Sequence, residues 1–273
     1  RDLIADYVYD LVRNYGAMSV ETPMMFDTSD KAIEEHAKRF DARQYRFRTY
    51  DGRGMLLRYA ACFGQFEMLK DTHITTKELP FKIYELSLSS FRYEQRGELT
   101  GLKRLRAFTM PDMHTICKDM KQAMNEFEKQ FGICAKVGKD FELEYEISFR
   151  VIKSFFEENK DWLLNLIKKI SKPAFVEILP RKIAYWDIKV EFSVIDNLGR
   201  PIQSPTVQID TESAKRFGIA YIEDNQRRYP VILHFSPTGS IERVICGLLE
   251  NAAKHIEKKL PMFPVWLSPV QVR

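Results

Sequence analysis

The stretch FKIYELSLSSFRYEQRGELTGLKRLRAFTMPDMHTIC, residues 81–117, carries the reading of the fold. From Phe81 to Glu94 it is rich in apolar and aromatic residues and holds neither Gly nor Pro, which predicts one long strand. Residues 102–117 predict its antiparallel return, and the polar, glycine-containing QRGELTG between them is the loop. Side chains two apart on a strand share a face. Arg92 and Glu94 therefore point away from Phe91 and Tyr93, while Arg104, Arg106, Phe108, Met110, Asp112 and His114 gather on one side of the return.

Upstream, Leu3, Ile4, Val8, Leu11 and Val12 fall at helical spacing with Gly16 as the stop. AMSVETPMM reads as an edge strand, because Pro23 cannot donate to an interior ladder. Residues 44–58 read as two strands turning at Asp51-Gly52, and AACFGQFEMLK as a helix. Downstream, helices are expected at 119–131, 151–170 and about 241–258, and strands at 141–149, 186–195, 202–210 and 230–236. On two of these strands Asp187, Lys189, Glu191 and Ser193 share a side, as do Thr206, Gln208 and Asp210. Strands outnumber helices and mostly join by hairpins. The expected class is α+β, an antiparallel sheet flanked by helices, in a single domain over 1–273.

The 273 residues are 45% hydrophobic and 29% charged, the balance of a globular chain, and an aromatic share of 12% argues against disorder. No apolar run approaches the ~18 residues of a membrane span. Net charge +4 permits contact with a nucleotide or nucleic acid without demanding it. Cys62, Cys117, Cys134 and Cys246 form no close pair, so a reducing, cytoplasmic compartment is expected. Beginning at Arg1 with a charged opening and no signal peptide, the chain reads as an excised piece.

Arg92, Arg104 and Arg106 near a carboxylate, with Phe108 beside them, suit a polyanion that bears a flat ring, such as a nucleoside triphosphate. Neither GxxxxGK[ST] nor GxGxxG occurs, so side chains would meet the phosphates. His36, His73 and His255 lie in charged segments and read as surface residues. His114 and His234 come late in predicted strands and Cys62 starts a helix; spacing alone leaves both satisfied core residues and a zinc site open.

GAMSVETPMM, then FRYE with RLRAF, then GSIER opening a helix resemble the three signature motifs of class II aminoacyl-tRNA synthetases, in order and spacing. Within that class LTGLKRLRAFTMPDMHTIC, PVILHFSPTGSIER and FPVWLSPVQV are similar to the threonyl-type catalytic domain, across nearly the whole chain. The differences from bacterial members look archaeal: Met110 stands where those carry glutamine, and YWDIK replaces YGPK, which leaves Tyr185 and Trp186 both open as contacts of the substrate methyl.

The resemblance implies activation of L-threonine by ATP and transfer to the acceptor end of tRNA(Thr), with Arg92 on the α-phosphate and Arg243 over the adenine near the γ-phosphate. Glu94 would meet the adenine amino group, Phe108 stack on the ring, and Arg104, Gln203, Thr206 and Gln208 line the nucleotide. Asp112 would hold the substrate amino group, with Tyr185, Lys189, Gln203 and Ser240 as further substrate contacts. It further implies one Zn²⁺ per chain on Cys62, His114 and His234, Mg²⁺ with ATP, and a homodimer through residues 1–25. Anticodon-binding and editing domains are expected to be absent. A non-catalytic paralogue that binds nucleic acid or regulates is the alternative; retention of Arg92, Glu94, Phe108 and Arg243 speaks against it.

Overall fold

The computed structural model describes residues 1–40, 42–170, 172–254, 260–268 and 270–272. Helix α1 (Asp2–Asn14) buries Ile4, Val8 and Val12, one stripe at a spacing of four. Then come β1 (Met18–Ser19), β2 (Met25–Asp27), α2 (Lys31–Ala37), β3 (Arg46–Arg48), β4 (Gly54–Leu57), α3 (Cys62–Lys70) and β5 (Ile74–Thr75). The long hairpin is β6 (Phe81–Phe91) and β7 (Ala107–Cys117), followed by α4 (Met120–Asp140), β8 (Glu146–Ile152), α5 (Lys153–Lys168) and β9 (Ala174–Leu179). The remaining elements are β10 (Trp186–Ile195), β11 (Pro201–Asp210), α6 (Ser213–Phe217), β12 (Tyr221–Glu223), β13 (Gln226–Arg228), β14 (Val231–Ser236) and α7 (Ile241–Ala253).

One large sheet runs β1-β6-β7-β14-β11-β10-β8-β9. Its inner pairings are antiparallel and its two outermost ones, β1 on β6 and β8 on β9, are parallel. The expected α+β class and mostly antiparallel sheet are observed. Alternation along the strands divides the apolar residues between two cores. Tyr84, Met113, Cys117, Leu233 and Phe235 pack with α1, α4 and α7, whereas Ile83, Ile116 and Ile232 pack with α3. No helix among the described residues is long and apolar enough to cross a membrane.

The structure departs from the sequence reading in several places. Helix α4 runs to Asp140 because its buried stripe continues through Phe127, Phe131, Cys134 and Val137; the predicted strand 141–149 therefore begins only at Glu146, after a turn in which Glu142 has φ 52°. The proline-bearing edge strand shrinks to two residues, which pair in parallel with Ile83 and Tyr84. The return strand begins at Ala107 rather than 102, since short 3₁₀ turns occupy 96–98 and 101–103. Helix α7 ends at Ala253; the last residues of its expected span, and His255, lie outside the described residues.

A buried ion pair ties the entry segment to the sheet. Arg58 Nη1 donates to Glu85 Oε1 at 2.5 Å, both side chains at most 4% exposed. The same carboxylate accepts from Thr22 N at 3.2 Å and Thr22 Oγ1 at 2.7 Å. Arg58 also donates to the carbonyls of Thr22 and Ser89. Removing one member of such a pair strands the other charge in a low-dielectric interior. Glu85→Ala is expected to cost about 3–5 kcal/mol; urea unfolding would reveal it, and a loss under about 1 kcal/mol would show that water reaches Arg58.

Candidate active site

A cavity of about 330 Å³ lies on the polar face of the sheet, over β7, β14, β11 and β10, between the start of α3 and the start of α7. Register puts its lining in one plane. Residues directly opposite on paired strands point the same way, and Asp112 lies opposite Glu85, His114 opposite His234, and Gln208 opposite both His234 and Lys189. Two bulges adjust this face. One between Ser87 and Ser90 moves β6 from odd to even residues, so Arg92 and Glu94, not Tyr93, turn into the site; another, near Glu191, brings Gln203 to the lining together with Thr206.

At one end sits a carboxylate among arginines. Glu94 is fully buried; its Oε2 meets Arg43 Nη1 at 2.6 Å and Arg104 Nη2 at 2.9 Å, and its Oε1 lies 2.9 Å from Arg92 Nε. The Arg92 guanidinium stands over the Tyr59 ring, 6.0 Å from its centroid. Arg106 donates to the Glu94 carbonyl at 3.0 Å and stays outside the cavity lining. Arg243 rides the first turn of α7, where Ser240 caps the helix by accepting from Arg243 N. Gly239 precedes it at φ 70°, with the Ser204 carbonyl 2.5 Å from where a Cβ would lie, so only glycine allows this approach. Arg243 Nε donates to Lys103 O at 3.0 Å. Burial and the neighbouring Arg92 charge pull Arg243 below its ordinary value.

At the other end are the histidines. His234 Nε2 donates to Asp210 Oδ2 at 2.8 Å and His114 Nδ1 to Gln65 Oε1 at 2.6 Å, which leaves His114 Nε2 and His234 Nδ1 facing each other at 3.0 Å. Burial holds His114 well below its usual range, and thus neutral. The two inner nitrogens stand at hydrogen-bond distance, where a proton or a cation can be shared between the rings. Outer N–H groups held by a carboxylate and an amide are the usual orientation of metal-binding imidazoles. Tyr185 stacks on His234 with centroids 4.6 Å apart. Cys62 lines the cavity, but its Sγ is 3.0 Å from His36 Nε2, and among the described residues no three His, Cys, Asp or Glu side chains form a metal-holding group. One sulfur and two imidazoles are donors that suit zinc. The histidine pair thus fits the ion, while Cys62 faces another partner.

His36 corrects the sequence reading: it is fully buried, ringed by Phe40, Phe63, Phe66 and Phe217, and burial brings it down to about 3. His73 is exposed, as expected. Asp112, Tyr185, Trp186, Lys189, Gln203, Thr206, Gln208, Phe108 and Ser240 all line the cavity. Sequence reasoning passed over Arg43, Gln65, Arg58 and Tyr59, which belong to no motif and whose only signal is their polarity beside apolar runs. Lys189 and Glu191, two apart, pair at 2.6 Å.

The chain matches the family described as tRNA synthetase class II core domain (G, H, P, S and T) over residues 45–252. The threonine–tRNA ligase of Methanocaldococcus jannaschii is 59% identical over all of this chain and 45% of that protein, and that of Methanobrevibacter smithii is 55% identical with the same coverage. The chain spans a little under half the length of these relatives. A Cryptosporidium parvum structure described as the RNA binding domain of threonyl-tRNA synthetase aligns with TM-score 0.80 at 21% identity, over 92% of this chain and 64% of that one. A Giardia lamblia prolyl-tRNA synthetase with prolyl-adenylate aligns with TM-score 0.74 at 15% identity, over 98% and 48%. At these identities the structures show a shared fold.

Asp112 supplies a prediction of its own. Burial pushes its carboxyl up to about 6 from 3.8, against the Ala61 N–H, which donates to it at 3.1 Å and lowers it. A carboxyl raised on folding favours the folded state below its unfolded value, and that contribution is lost as pH rises through about 6. Asp112→Asn should therefore raise the melting temperature more at about pH 8 than at about pH 4.5; an equal gain at both would show that the carboxylate is well solvated.

Proposed function

The chain belongs to the class II tRNA synthetase core-domain family, and on that footing we propose that it is a catalytic domain, spanning 1–273, that activates L-threonine with ATP and transfers it to the acceptor end of tRNA(Thr). The observation that carries this reading is the convergence of Arg92, Arg104 and Arg243 with the carboxylates Glu94 and Asp112 on one cavity.

Activation joins the threonine carboxylate to the α-phosphorus of ATP in line with departing pyrophosphate. The nucleophile is already ionised at neutral pH, so no general base is needed. Negative charge grows on the phosphoryl oxygens, and fixed cations must meet it without reorganising. Arg92 takes the α-phosphate and Arg243 the γ-phosphate side, with Mg²⁺ accompanying ATP. Phe108 and Arg243 sandwich the adenine, Glu94 accepts from its amino group, and Arg104, Gln203, Thr206 and Gln208 line the rest of the nucleotide. Asp112 binds the threonine amino group, and Tyr185, Lys189 and Ser240 complete the amino-acid side.

Valine is isosteric with threonine, and an apolar pocket separates such pairs by only about 100-fold. Cys62, His114 and His234 would hold Zn²⁺, which supplies a Lewis acid with open coordination for the amino and hydroxyl groups of threonine. For Cys62 this requires its sulfur to leave His36. Asp210 and Gln65 hold the outer nitrogens of the two imidazoles and so keep their inner nitrogens aimed. The segment 1–25, with Met18, Met24 and Met25 about half exposed, is the proposed homodimer contact.

The test is ATP–pyrophosphate exchange with threonine, serine and valine, with metal content measured on the same sample. One zinc per chain, threonine preferred, serine weaker and valine inert are expected, and Cys62→Ala should abolish both zinc and exchange. Normal exchange by a zinc-free protein would overturn the metal's role; exchange that no amino acid stimulates would favour the non-catalytic reading.

A further inference from the structure

Arg43 lies outside every motif and outside the cavity lining, yet it touches the most enclosed charge in the site. Its Nη1 donates to Glu94 Oε2 at 2.6 Å, the shortest of the three arginine approaches to that carboxylate. Its Nη2 donates to Glu98 Oε1 at 3.2 Å, and the Tyr93 N–H donates to its carbonyl at 3.1 Å. The guanidinium is thus anchored through its own backbone to the end of the β6 extension, while its fork spans one carboxylate before the hairpin loop and one within it.

The other oxygen of Glu94 is differently placed. Oε1 is buried and has no hydrogen-bond partner among the described residues, because the Arg92 Nε beside it, though 2.9 Å away, lies off the hydrogen-bond direction. A buried carboxylate oxygen without a donor is costly and unusual. One oxygen clamped and the other open is the arrangement of an acceptor kept aimed at an incoming N–H.

We propose that Arg43 is a positioning residue: by clamping Glu94 Oε2 and tying Glu98 to the same fork, it holds Glu94 Oε1 toward the exocyclic amino group of the adenine ring and so sets the preference for ATP among purine triphosphates. This rests on the reading of Glu94 as the adenine contact. Arginine is needed because its planar fork bridges two carboxylates, whereas an ammonium is a single point of charge.

The experiment is calorimetric titration of the whole chain with Mg-ATP and with purine riboside triphosphate, which is ATP without its 6-amino group. The wild-type protein should prefer ATP. Arg43→Gln should weaken ATP by about 10-fold, the scale of one charge-assisted hydrogen bond, and leave the analogue unchanged. Arg43→Lys, which keeps the charge without the fork, should fall between the two. Equal weakening of both nucleotides by Arg43→Gln, an unchanged preference, or an Arg43→Lys variant no better than Arg43→Gln would each overturn the assignment, as would a wild-type protein that binds both alike. Binding does not depend on which amino acid is activated. Failure of threonine-dependent exchange in the wild-type protein would therefore overturn the parent reading and leave this comparison standing.

Discussion

The two-residue period of the β6–β7 hairpin is the constraint from which the rest follows. Once Glu85 is opposite Asp112 and Ile83 opposite His114, every second residue of six strands is committed to one face. A slip of one residue would send Asp112, His114 and Phe108 into the apolar core and bring Met113 and Thr109 into the cavity. The apolar residues between them prevent it. Met113, Cys117, Leu233 and Phe235 are buried against the helices on the reverse side.

That commitment brings an electrostatic problem, since the carboxylates of Glu85 and Glu94 are buried. The molecule solves it locally in three ways. Glu85 is neutralised by Arg58 within the wall, where the pair joins Thr22 to the sheet. Glu94 is surrounded by Arg43, Arg92 and Arg104 at the cavity edge. Among the described residues Asp112 receives one backbone N–H, from Ala61, and burial pushes its carboxyl up. The first arrangement is complete, the second is complete on one oxygen only, and the third has no counter-charge in direct contact among the described residues. The same gradation separates scaffold from binding groups in the proposed synthetase chemistry.

The bulge between Ser87 and Ser90 shows how a local irregularity carries function. Without it, strict alternation from Glu85 would continue through Ser87 and Phe91 to Tyr93, and aromatic rings would occupy the place of Arg92 and Glu94. One extra residue reverses the parity at the end of a long strand. Nothing in LSLSSF marks the bulge, which is why the hairpin could be anticipated but not the point at which its faces exchange.

What the sequence by itself determined is the set of interactions that repeat with a fixed period: the amphipathic α1, the long hairpin, the 186–195 and 202–210 strands, and the shared side of Phe108, Asp112, His114, Thr206 and Gln208. Periodicity is local, so it can be read without knowing the partner. The tertiary structure alone decided what depends on elements far apart in the chain. It buried His36 against α3 and α6 although its own neighbours are charged, put Arg43 on Glu94 across 51 residues and Gln65 on His114 across 49. It also turned Cys62 toward His36, from which no spacing rule could have predicted its nearest partner. Contacts of this kind are chosen by packing and by the need of buried charges for counter-charges, and both are properties of the assembled interior.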